Sequence, residues 1–385
     1  HNTKKNPKTR CYLTIDYSPR NKRIICIGGS DIDSEQYNKV SEYDIEENKW
    51  IIHENKPESF NIKLSGHTSN LFSMNNKEKI FIFGGINDLS NDYTNHGFLV
   101  DTSNNNSFED INFNKNREGK SVLPTPRSYH TANYDEINNL IYVYGGTDLN
   151  INNSKSDNFQ SLWEYSIEAK YWKKIGLKNV NPLGAPRGHT SILYKNKLYI
   201  FGGILLFKKF QNELFTIDLK NYVIEKIDYN KDGKNCVPKP VAFHSAVKID
   251  ENKFLIQGGL NQRYNVVNDC YLYFFYENKF EKVDIPILPK LFGHKLCFTR
   301  DSGSIFIIGG LDYFKDLGDD NLICSDDEYD EENIENKIIK EDWEELNTIP
   351  MVNVFEIVLN NYVKKNEEII TKNKMKSCLV IMFSK

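Results

Sequence analysis

Six glycine doublets organise this chain: Gly28-Gly29, Gly84-Gly85, Gly145-Gly146, Gly202-Gly203, Gly258-Gly259 and Gly309-Gly310. Each closes a short apolar run, such as Ile80-Phe81-Ile82-Phe83 or Leu198-Tyr199-Ile200-Phe201. Successive doublets lie 56, 61, 57, 56 and 51 residues apart. A strand that ends in Gly-Gly and recurs at a near-constant period marks a repeat architecture. The period is too long for one hairpin and suits a four-stranded sheet.

Residues 186–227 illustrate one repeat. Gly188–Tyr194 reads as a first strand, and Lys195-Asn196-Lys197 as a tight turn. Leu198–Phe201 is a second strand, Glu213–Asp218 a third and Tyr222–Ile227 a fourth. A single twisted sheet of four antiparallel strands cannot bury both of its faces. Six of them packed face to face around an axis can, as a propeller with short edges. Glycine at the strand exits suits a crowded axis, where another chain approaches closely. Aromatics recur 21–26 residues after the second glycine, at Trp50, Phe108, Trp172 and Phe280, and are expected to plug the gaps between blades. The fourth repeat has Val223 and Ile224 there. Trp343 is the candidate for the sixth, whose third strand is placed loosely near Asn321–Ser325.

The doublets resemble those of the kelch repeat family. So do the pairs Tyr43 with Trp50 and Tyr165 with Trp172, and the openings Pro126-Arg127-Ser128-Tyr129-His130 and Pro186-Arg187-Gly188-His189. The resemblance implies an all-β, six-bladed kelch-type propeller of four-stranded antiparallel blades. It assigns residues 1–10 to an N-terminal tail, 11–349 to the propeller and 350–385 to a short helix/strand extension. The extension is expected to be helical around Phe355, Val358, Leu359 and Tyr362, which follow i, i+3, i+4, i+7 spacing. Cys378–Phe383 reads as a short strand.

The aromatic share of 13% fits a strand-rich fold. A net charge of −4 argues against a dedicated nucleic-acid binder. It conceals an acidic stretch: residues 316–345 carry 14 Asp/Glu against two Lys, so they sum to −12 and the remainder to +8. This insertion into the sixth blade reads as a solvated segment, with an acidic docking element or a lid on the basic remainder as alternatives. Seven cysteines without CxxC spacing suggest a reducing compartment, the cytoplasm with the nucleus as alternative. No apolar run approaches the roughly 20 residues that span a bilayer, so no membrane partner is expected.

Strand order puts the loops after the doublets and the links between blades on one face, here called the top. These connections are long: Ile86–His96, Ile111–Thr125, Thr147–Gln160 and Asp228–Lys239. The turns on the opposite face are short. Elaborated loops on a rigid scaffold are where binding resides, and the kelch resemblance implies a protein partner there. The run Ile204-Leu205-Leu206-Phe207-Lys208-Lys209-Phe210 mixes apolar and cationic residues. Leu206, Phe207, Lys208, Lys209 and Phe210 therefore either anchor a partner or fold back onto the next blade. Arg263 and Tyr264 occupy the equivalent loop of the fifth repeat and are hot-spot residue types. Arg127 and Arg187 enter the inner strands, where they either bind a carboxylate at the channel mouth or tie down loop carbonyls.

Five histidines, His67, His130, His189, His244 and His294, open the first strands. One per blade spreads them too widely for one ion at bond lengths of about 2.0–2.3 Å. A structural role is expected, with no metal and no cofactor. HExxH, GxSxG and GxxxxGK[ST] motifs are absent from the sequence, so no catalytic residue is assigned. The sequence is thus read as a non-catalytic interaction scaffold or substrate-recognition module for a partner protein. The alternative is a propeller enzyme acting on a small polar molecule in a top-face pocket.

Overall fold

A computed structural model describes Pro7, residues 10–312 and the strands 354–358 and 378–382. Within 10–312 it leaves aside 31–39, 53–62, 88–91, 103–106, 112–121, 149–156, 181–183, 231–235 and 286–287. The acidic stretch 316–345, Trp343, the candidate strand Asn321–Ser325 and the side chains of Phe108 and Phe207 lie outside the described residues. Helical structure among the described residues is confined to single turns, Asp157–Gln160 and a 3-10 turn at Leu206–Lys208.

Among the described residues, six four-stranded sheets follow one another along the chain, with a small three-stranded sheet beside the second. Each opens with an inner strand: Thr14–Ser18, Thr68–Met74, Thr131–Asp135, Thr190–Tyr194, Ser245–Lys248 and Lys295–Thr299. The inner strands pack side by side in that order, and the sixth returns to the first. Each second strand, such as Lys77–Phe83 or Lys197–Phe201, pairs antiparallel with its inner strand and runs into a glycine doublet. The hairpin at Lys195-Asn196 has both residues at positive φ, 44° and 62°. That is the geometry of a tight two-residue hairpin turn matched to strand twist.

The core lies between sheets. Trp172 of the third sheet has its ring 4.8 Å from Phe83 and 6.0 Å from Phe81 of the second. Phe280 of the fifth lies 5.3 Å from Phe201 of the fourth. These are the inter-blade wedges expected from their spacing after the doublets. Tyr43 of the first sheet lies 6.2 Å from Phe306 of the sixth, so the same device works at the closure.

The sixth sheet departs from the expected pattern. Its third strand is Val354–Val358, antiparallel to Ser304–Ile308 in the register Ile307↔Phe355. The segment expected to be helical from Phe355 and Val358 is therefore extended over Val354–Val358. The run Val-Phe-Glu-Ile-Val is rich in β-branched residues, which fit a strand better than a helix. The fourth strand, Cys378–Met382, is a strand as expected, but it runs parallel to the third. The expectation of antiparallel blades holds for five sheets and fails at this pair. A parallel pair requires a longer crossover, and 19 residues separate the two strands.

Candidate partner-binding face

The residues that open the inner strands form two rings of backbone hydrogen bonds. The upper ring is closed. Tyr12 N–H donates to Gly293 O at 2.7 Å, Gly66 to Tyr12, Tyr129 to Gly66, Gly188 to Tyr129, Phe243 to Gly188 and Gly293 to Phe243. In the second ring the later glycine of each doublet donates to the next sheet: Gly29 to Leu64, Gly85 to Arg127, Gly146 to Pro186, Gly203 to Val241, Gly259 to Leu291 and Gly310 to Arg10. The doublets thus tie the sheets together as well as ending strands. A side chain at Gly84 would put Cβ 2.7 Å from His130 Cε1 and 2.8 Å from Arg127 O. The next sheet occupies that space.

Aromatic residues and glycine alternate round the upper ring. Tyr12, Tyr129 and Phe243 meet edge to face on the axis, with centroids 5.0, 5.2 and 5.5 Å apart. At Gly66 a Cβ would lie 2.9 Å from the Tyr129 ring, so the glycines make room for the aromatics. This seal was not recognised in the sequence. Its trace is the position before each strand-opening histidine: Gly66, Tyr129, Gly188, Phe243 and Gly293.

Loops after the doublets thicken the seal. Ile204, Phe210, Leu260 and Phe292 join Tyr129 and Phe243 in one buried cluster, with Tyr264, Val266 and Leu311 packed against it. Leu206 and Phe210 are buried, and the Phe210 ring meets Tyr264 edge to face at 5.5 Å. The loop of the fourth sheet and the Arg263-Tyr264 loop of the fifth are therefore one surface. Lys209 and Arg263 are exposed on it, and Lys208 and Tyr264 half-buried. Asn261 Oδ1 accepts from the N–H groups of Arg263 and Asn265 and fixes the turn that presents Arg263.

Arg127 is fully buried. Its guanidinium donates to Gly145 O at 3.0 Å and to Thr125 O and Oγ1 at 3.2 and 3.0 Å, and it lies 4.9 Å over the Phe159 ring. It spends its donors tying loop carbonyls. Arg10, in the last turn before the first inner strand, donates likewise to Gly28 O at 3.0 Å. Arg187 is buried, and its backbone pairs with Ile204. The structure separates these arginines from the exposed cations of the fourth and fifth loops.

The histidines stitch neighbouring sheets. Nε2 of His67, His130, His189 and His244 lies 2.9–3.1 Å from the hydroxyl of Thr14, Thr68, Thr131 and Thr190 on the preceding sheet. Burial holds their pKa values far below the usual 6.5, to about 3 for His67, His189 and His244. Among the described residues, no three His, Cys, Asp or Glu side chains converge to hold a metal ion. No helix of the described residues is long and apolar enough to cross a membrane.

A family model described as the KLHDC2/KLHL20/DRC7 Kelch-repeats domain matches residues 66–310. Host cell factor 2 of Homo sapiens is 27% identical over 270 residues, covering 61% of this chain and 32% of the relative. Host cell factor of Drosophila melanogaster is 28% identical over 254 residues, covering 58% of this chain and 16% of the relative. Host cell factor homolog hcf-1 of Caenorhabditis elegans is 22% identical over 190 residues, covering 47% of this chain and 23% of the relative. The matched stretches thus span about a third or less of those relatives. The doublets, the inter-blade aromatics and the family match over more than half of the sequence agree: this chain belongs to the kelch repeat family.

Proposed function

We propose that this chain is a non-catalytic protein-interaction module that binds a partner protein through the top-face loops of the fourth and fifth sheets. The observation that carries this reading is the division of labour within those loops. Their apolar members, Ile204, Leu206 and Phe210, are consumed in the core, while Lys209 and Arg263 are exposed beside Lys208 and Tyr264. A rigid floor under paired cations suits a partner that presents carboxylates, for which arginine provides a two-pronged donor. As a module it would serve as a scaffold or as the recognition part of a larger assembly. The free cysteines Cys11, Cys26, Cys270 and Cys297 are buried, which suits a reducing compartment such as the cytoplasm or nucleus.

The reading as a propeller enzyme needs a pocket of converging titratable groups on the top face. Tyr12, Tyr129 and Phe243 occupy the axis there, which supports the interaction reading over the catalytic one. The test compares wild type with the triple variant Lys208→Glu, Lys209→Glu, Arg263→Glu in affinity capture followed by mass spectrometry. Both must first show the same thermal unfolding. A partner lost by the variant supports the reading. A partner held equally by both places the site elsewhere and overturns it.

A further inference from the structure

The fourth sheet lacks the aromatic wedge of its neighbours. Tyr43 pairs with Trp50 in the first sheet, Tyr165 with Trp172 in the third and Tyr273 with Phe280 in the fifth. The same register position in the fourth holds Ile217 and Ile224. Two isoleucines fill less of the gap toward the third sheet than a tyrosine and an indole. The outer end of that gap is an open cleft of about 580 Å³. Val180, Phe215 and Ile224 line it, with Glu213, Glu225 and Lys226. Val180 is 39% exposed and Phe215 is half-buried.

The cleft runs along an unfinished sheet edge. The link from the third sheet begins to pair with the outer strand Ile224–Ile227. Lys178 N–H donates to Tyr222 O at 2.9 Å, and Ile224 N–H donates to Lys178 O at 3.1 Å. At Asn179 the backbone turns left-handed, with φ at 61°, and the pairing stops after the single bridge of Lys178 to Val223. Alternate residues of an edge strand turn their N–H and C=O groups to its free side, so Ile224 O and Lys226 N–H come next in line. Among the described residues neither has a partner there. An open row of this kind is a template for another strand.

The side chains along the edge define what fits. They alternate between the two faces of the strand, so Ile224 and Lys226 share one face and Glu225 lies on the other. Lys226 is held by Glu213 at 2.7 Å. Glu225 is exposed and makes no ion pair among the described residues. An added strand therefore meets an apolar cleft at Ile224 and an uncompensated carboxylate one residue on. Opposite charges across a strand pair stabilise it and like charges oppose it. The acidic stretch of this chain, −12 over residues 316–345, has the wrong charge for that position.

We infer that the outer edge of the fourth sheet binds one extended segment of a partner protein by strand addition. An aromatic or large aliphatic residue of that segment enters the cleft beside Ile224, and the residue next to it is Lys or Arg, facing Glu225. Main-chain bonds to Ile224 O and Lys226 N–H supply affinity, and the cleft and the carboxylate supply specificity. The site stands on the outer rim whether or not the top-face loops bind a partner.

The test measures binding of the labelled full chain to an array of peptides of about ten residues. Each contains one Trp, Phe or Leu followed by Lys, and a matched set carries Glu in place of Lys. Wild type should prefer the Lys set, and Glu225→Lys should reverse that preference. Equal binding to both sets by wild type, or binding to neither, would overturn the inference. Lys226→Pro removes the outward N–H, which an edge strand tolerates, and should weaken the best peptide roughly tenfold in fluorescence anisotropy. Lys226→Ala keeps that N–H and should bind like wild type. Unchanged affinity in Lys226→Pro would refute strand addition. Should Lys226→Pro fail to fold, the reversal in Glu225→Lys decides. Preference for a peptide drawn from residues 316–345, or self-association of wild type that Glu225→Lys abolishes, would give the edge to another occupant and overturn the inference.

Discussion

The Tyr12 N–H donates to the Gly293 carbonyl at 2.7 Å, across 281 residues of sequence. This bond joins the first inner strand to the last. Gly310 N–H to Arg10 O at 2.9 Å does the same one level out. Among the described residues no strand is shared between the first and sixth sheets, and the ring closes there by these bonds and by packing such as Tyr43 against Phe306.

Tyr12 therefore carries both a ring bond and a third of the axial seal. Tyr12→Ala keeps the backbone bond and removes the edge-to-face contacts to Tyr129 and Phe243. Tyr12 is half-buried, so the expected cost is about 2 kcal/mol, below that of a fully buried aromatic cut to alanine. Tyr12→Phe should cost far less, because the triad already includes a phenylalanine. Urea unfolding of the three proteins checks the order.

The histidine ring makes stability fall in mild acid. Folded-state values near 3 against 6.5 unfolded mean that the unfolded chain binds more protons between those limits. Stability contributed by these groups is complete above about pH 6.5 and is lost as pH falls toward 3. Each histidine should remove about 1 kcal/mol between pH 7.5 and 5.5. Comparing the pH slope of wild type with that of His189→Gln isolates one member. An unchanged slope would show that His189 titrates normally.

Arg127 separates a structural from a binding role. Arg127→Met keeps the bulk over Phe159 but orphans Gly145 O and Thr125 O, each otherwise paired with the guanidinium. The expected loss is about 2–4 kcal/mol. Partner capture at a temperature where the variant remains folded should be unchanged. Lost capture with unchanged stability would instead assign Arg127 to the binding site.

The doublets made five sheets legible because each marks the end of a second strand, and local turn chemistry at sites such as Lys195-Asn196 fixes the neighbours. The surface was legible in part. Lysines and arginines after the doublets could be named, but the fate of Leu206 and Phe210 depends on the axial cluster, which six distant segments build together. The seal itself hides in an alternation of glycine and aromatic residues spaced 50 to 63 residues apart. The sixth sheet was obscured by 45 residues between Ile308 and Val354. Over that distance no spacing rule says where the third strand resumes, and Phe355 with Val358 satisfies a helical period as readily as it sits in a strand.

Strand Val354–Val358 is flanked by Ser304–Ile308 on one side and Cys378–Met382 on the other. Every N–H along its middle thus faces a partner on one side or the other. Ile357→Pro removes one of these donors and sets its ring against the ladder, which a central strand does not tolerate. The expected loss is about 3 kcal/mol, with faster amide exchange in Ser304–Ile308, the strand that borders the axis ring through Gly309-Gly310. Ile357→Val, which keeps both the N–H and the β-branch, should leave exchange in Ser304–Ile308 unchanged. If both variants behave alike, residues 354–358 do not complete the sixth sheet, and the ring must close against a two-stranded remnant.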